Sequence, residues 1–118
     1  MVVEMSNGNL VYNILDYIMA AALKSPQKIA FQSDDLHVSY KELVEDMNKM
    51  GYQLASRLSV THKPIVILMD KCVECLIAFF GVVASGNFYV CIDSNMAPER
   101  IRKIVENLHP AGIINLNP

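Results

Sequence analysis

A pair of cysteines, three histidines, two spaced glycines and an aspartate at a strand end are the residues here that could do chemistry. Cys72 and Cys75 form a C-x-x-C at the start of a helical stretch that follows an apolar run, the placement a dithiol redox pair requires. Glu74 lies between them, and a carboxylate beside thiols raises their pKa where a redox thiolate needs it lowered. The simpler reading is two small core residues at i,i+3. Zinc would need two more ligands, but Cys91, His37, His62 and His109 stand at no finger-like spacing. The histidines read as loop or helix-end residues, and His109, just before Pro110, suits the negative end of a helix dipole.

Gly81 and Gly86 have the G-x-x-x-x-G spacing of a phosphate-binding loop. Asn87 and Phe88 stand where Lys and Ser/Thr are required. The segment also runs from helix into strand, opposite to the order that aims N–H groups at phosphate. Asp93 closes the apolar run ending at Ile92, on the carboxyl edge of a sheet where open α/β folds bind ligands. Asp93, Ser94 and Asn95 equally satisfy loose backbone groups ahead of a helix. Glu99 suits the first turn of that helix and is spaced to pair with Lys103. Catalytic, cofactor-binding and metal-binding residues are therefore expected to be absent from this chain.

These residues must be positioned by elements the sequence also marks. Helical periodicity from Leu10 to Leu23 ends at "KSP", residues 24–26. "KIAFQSDDLHVSY" predicts a hairpin turning at Asp34 and Asp35. In "SYKE", Ser39 and Glu42 are spaced as a capping box for a helix reaching Arg57 or Leu58. Its apolar stripe is Leu43, Val44, Met47, Met50, Leu54 and Leu58, with Lys41, Glu45 and Lys49 on the wet side. Then follow a strand "PIVILM", a helix "CVECLIAFFGVVAS" with Gly86 in the C′ position, a strand "FYVCI", a helix "PERIRKIVENL" with Pro98 near N1, and a strand "AGIIN". The fold class is α/β: an N-terminal helix and β-hairpin, then a β-α-β-α-β unit with right-handed crossovers and a parallel sheet. One partial domain over residues 1–118 is expected, with 1–9 frayed.

Composition narrows the partners. The chain has 118 residues, 53% hydrophobic, and a net charge of -2, which gives no basic stripe for nucleic acid. The longest apolar run, Cys75 to Ala84, is about half of the ~20 residues a membrane span needs. "MVVEMSNGNL" lacks a basic n-region, and an odd number of cysteines fits a reducing compartment, so a cytoplasmic location is expected. The helix over 72–85 is apolar all round and should be buried all round. Phe79 and Val82 are expected on a side that one sheet cannot cover, which predicts cover from the remainder of a larger domain or from self-association.

Two motifs carry a family resemblance. "VSYKEL" at 38–43 resembles the first core motif of the adenylate-forming (AMP-binding) superfamily, and "GVVASGNFYVCIDSNMAPERIRKIVENLHPAGIIN" at 81–115 resembles the second. The resemblance runs from about Tyr12 to Asn115 and is closest to amino-acid adenylation domains, including D-alanine–carrier protein ligases. Cys91 replaces the motif's proline, Ser85 the alanine before the glycine, and Pro98 lies one place late. The resemblance implies the N-terminal lobe of a ligase that joins a carboxylate to the α-phosphate of Mg-ATP. Such a ligase passes the acyl group to a phosphopantetheine thiol, on a carrier protein or CoA. The family's phosphate loop and catalytic lysine match nothing here, so the chain alone is expected to be inactive. Two other readings compete: a non-catalytic interaction module or split subunit, and a thioredoxin-like oxidoreductase using Cys72 and Cys75.

Overall fold

The computed structural model describes residues 3–4, 10–11, 13–70 and 74–116, and the chain divides into two compact units, Met1–Glu45 and Asp46–Pro118. In the first unit β1 (Val3–Glu4) pairs antiparallel with β2 (Leu10–Val11). Helix α1 spans Leu15–Lys24. It begins five residues later than the periodicity predicts, because Leu10 and Val11 are taken by the strand pair and Asn13 resets the chain. The Asn13 Oδ1 accepts the Leu15 N–H at 3.0 Å, and its carbonyl accepts that of Asp16 at 3.0 Å. The N-terminal stretch expected to fray thus contains a paired strand at Val3–Glu4, and the rest of residues 1–9 lie outside the described residues.

Strands β3 (Ile29–Gln32) and β4 (His37–Ser39) form the predicted hairpin, closed by the Ser33 N–H on the Leu36 carbonyl at 2.8 Å. Helix α2 (Tyr40–Leu58) follows without a loop. The Ser39 Oγ accepts the Glu42 N–H at 3.2 Å, and the carbonyls of Lys28 and Pro26 accept those of Tyr40 and Lys41. The first orphan donors of the helix are thereby satisfied locally. Its stripe is as the sequence predicts: Leu43 and Met47 are buried, Val44, Met50, Leu54 and Leu58 half-buried, and Lys41, Glu45 and Lys49 exposed.

The second unit takes in the later turns of α2 and then β5 (Pro64–Met69), α3 (Glu74–Ala84), β6 (Phe88–Asp93), α4 (Pro98–Leu108) and β7 (Gly112–Asn115). The strands form one parallel sheet in the order β6-β5-β7. The path steps from β5 to β6 and then back across β5 to β7. The central strand is buried as its unbroken apolar run requires, with Ile65, Val66 and Ile67 fully enclosed.

Ile65 and Ile67 pack with Ala78 and Val82 of α3, ringed by Met50, Leu54 and Leu58 of α2. This corrects the expectation that α3 has cover on one side only. Val82 is 0% exposed within the chain, and Leu76, Ile77, Phe79, Phe80 and Val83 are half-buried. The missing cover is α2, which approaches through glycines. A Cβ on Gly81 would stand 2.8 Å from the Met50 Cβ, and one on Gly51 2.8 Å from the Ala84 Cβ. Phe79 gains further shelter by stacking on Tyr89, with ring centroids 4.5 Å apart. Phe79 stays half-buried, so α2 supplies only part of the cover expected from outside the chain, and this packing lends no support to self-association through residues 72–85.

Candidate functional site

Because β5 and β6 run parallel and in register, their carboxyl ends fall side by side: Ile67 is opposite Cys91, and Met69 opposite Asp93. β6 finishes on Asp93, and Asp70 directly follows the last residue of β5. Met69, Asp70, Cys91 and Asp93 line an open hollow of about 250 Å³ at that edge, the side on which open α/β sheets receive ligands. The sequence reading singled out Asp93 but missed Asp70, which follows β5 as one acid among several in the chain.

The geometry favours a joint over a reaction centre. The Asp93 Oδ1 accepts the Asn95 N–H at 2.9 Å, its carbonyl accepts that of Met96 at 3.0 Å, and the Ser94 N–H donates to the Met69 carbonyl at 3.0 Å. Asp93 therefore turns the chain toward α4, as its structural reading predicts. Desolvation pushes the Cys91 thiol above its ordinary 9.0, which keeps it protonated near neutrality and poorly nucleophilic. A polyphosphate placed here would meet two carboxylates and no cationic side chain among the lining residues. The hollow does not fit the triphosphate of ATP, and no step of adenylation is assigned to it.

The other candidates are dispersed. Cys72 lies outside the described residues. Cys75 is 2% exposed and its Sγ donates to the Asp70 carbonyl at 3.1 Å, a core position with little access for thiol exchange. His37, His62 and His109 are exposed, and no group of three or more metal-ligating side chains occurs among the described residues. His109 caps α4 in the left-handed conformation, φ 50°. Gly81 sits at the α2–α3 contact and Gly86 turns the chain after α3 with φ 87°, so neither belongs to a phosphate loop.

One expectation on α4 changes. Glu99 pairs with Arg102, and Arg102 also reaches Glu106 at 2.9 Å, so Arg102 takes the place assigned to Lys103. The guanidinium fork can hold two carboxylates at once, which a lysine point charge does less well. Arg100 is exposed and makes no side-chain ion pair among the described residues.

One cluster escaped the sequence reading altogether. Asn87, 6% exposed, accepts the Lys63 N–H at 3.0 Å and donates to the Val60 carbonyl and to the Ser85 Oγ, each at 3.1 Å. With the His62 N–H on the Gly86 carbonyl at 2.8 Å, it clamps the loop before β5 to the loop before β6 at the amino edge of the sheet. Two of its three partners lie 24 and 27 residues away, beyond any local pattern.

A family model described as AMP-binding enzyme matches residues 18–117. A D-alanine–D-alanyl carrier protein ligase of Bacillus anthracis is 29% identical over 94 residues, 80% of this chain and 19% of that protein. The chain thus spans about a fifth of the length of the curated relatives it matches. Among solved structures, the Klebsiella oxytoca NpsA N-terminal subdomain in complex with 3-hydroxyanthranilyl-AMSN superimposes with a TM-score of 0.82 at 17% identity, over 91% of this chain and 28% of that one. A nonribosomal peptide synthetase in its alpha-methyl-L-serine-AMP bound form gives 0.80 at 23% identity, over 85% and 11%. The Bacillus subtilis O-succinylbenzoate coenzyme A synthetase gives 0.75 at 22%, over 84% and 22%.

Proposed function

We propose a function from one established premise: the chain belongs to the AMP-binding enzyme family, as an N-terminal segment of it. The whole protein activates a carboxylate with ATP, releasing pyrophosphate, and hands the acyl group to a phosphopantetheine thiol. An amino acid is the substrate class, with D-alanine the first to test, and a carrier protein rather than CoA the first acceptor. The observation that carries this reading is the match over residues 18–117, which spans the hairpin, the capped α2 and the whole β5–β7 unit. The name of the Bacillus relative supports the choice of substrate and carrier. ATP and Mg would be held by residues that this chain does not supply.

The role left to the segment is scaffolding. The Asn87 clamp fixes one end of the sheet, while the α2–α3 contact fixes its face. At the other end, the Asp93 turn sets the direction in which the chain leaves β6. In-line attack on a phosphate depends on holding groups within a fraction of an ångström, and a rigid sheet edge serves that end.

Transplanting the segment tests the reading. Residues 18–117 replace the matching stretch within the full-length Bacillus D-alanine ligase, and D-alanine-dependent exchange of pyrophosphate into ATP is measured. The chimera is expected to keep measurable exchange. A chimera that is folded by circular dichroism but has lost ATP-dependent activation would overturn the scaffold role.

A further inference from the structure

We propose that the groove between α1 and the first turns of α2 is a self-docking surface, which a second copy of this chain occupies around a two-fold axis. Met19, Ala22 and Leu23 of α1 and Lys41, Val44 and Glu45 of α2 line a hollow of about 260 Å³, all within the first unit. Its floor is apolar. Leu23 is 87% exposed, the most exposed large apolar side chain among the described residues, and Met19 is 45% exposed. The surface therefore carries a hole and, at its lip, a knob of the right chemistry to fill one.

Two features select the occupant. A two-fold interface requires one patch to hold both halves of every contact. Leu23 and the Met19–Val44 hollow meet that requirement for the apolar part. For the charges, Lys41 and Glu45 stand one helical turn apart on α2 and form no ion pair with each other within the chain. Two copies of α2 laid antiparallel bring Lys41 of each beside Glu45 of the other, with Val44 near the axis. A groove rimmed by one sign of charge would instead select an oppositely charged partner.

The test is the mass of the chain by sedimentation velocity across a dilution series, with variants at exposed positions. The wild-type chain is expected to move from monomer to dimer with rising concentration. Leu23→Glu removes a buried leucine from each copy and should weaken association by about a hundred- to ten-thousandfold, with an unchanged circular dichroism spectrum. Lys41→Glu and Glu45→Lys should each weaken self-association, and mixing the two variants should restore a heterodimer. A monomer at every concentration overturns the proposal. So does a dimer indifferent to Leu23→Glu, which would locate docking on another surface, or a mixture of charge variants that stays monomeric.

Discussion

Asn87 shows how much one side chain can hold. Its amide joins two loops through three hydrogen bonds, and removing it leaves the Lys63 N–H and the Val60 carbonyl without that partner. Asn87→Ala should cost roughly 2–4 kcal/mol, the range for stranding buried polar groups, read as a lower urea midpoint at unchanged slope. Cys91 gives a pH prediction. Its folded thiol holds its proton more tightly than an unfolded one, because desolvation disfavours the thiolate. The associated stability is fully present below the ordinary thiol value of 9.0 and is lost as pH rises through the raised folded value. Alkylation of folded Cys91 by iodoacetamide should reach half-maximal rate at a higher pH than in the urea-unfolded chain; a midpoint at or below the unfolded one would refute this. The local residues were legible in the sequence: Ser39 caps α2 and Gly86 turns the chain after α3, since each acts on neighbours within a few positions. Asn87 was not, because the groups it binds come near only when the sheet closes.

At the scale of elements, the contact between α2 and α3 is the point of least tolerance. Gly81 lets the Met50 side chain approach to a distance that no Cβ permits, and the Met50 Cβ itself cannot swing away as a side-chain tip could. Gly81→Ala should force the helices apart at a cost of about 1–3 kcal/mol. Measured by thermal unfolding, an unchanged or raised Tm would contradict the close approach. The order of strands and helices was readable because the change from helical period to unbroken apolar runs is a local signal. The start of α1 was not, since Leu10 and Val11 fit a helical pattern and are claimed by a strand partner at Val3–Glu4. Nor was the burial of α3: its all-round apolar surface was evident, but of the two glycines that admit α2, Gly81 looked in one dimension like part of a broken phosphate loop and Gly51 carried no signal.

At the scale of the whole molecule, positioning and chemistry fall on different parts. The family match covers residues 18–117, while the hollow at the sheet edge presents carboxylates where a triphosphate would need cations. Asp93 was legible from its place at the end of an apolar run, whereas Asp70 became visible only once the fold brought the ends of β5 and β6 around one hollow. The central claim, that this chain supports adenylation and does not perform it, is tested most directly by carboxylate-dependent pyrophosphate–ATP exchange. The purified chain is assayed with D-alanine and a panel of other amino acids. The account predicts incorporation of labelled pyrophosphate into ATP no greater than without carboxylate; incorporation that rises with any one amino acid and saturates would contradict it.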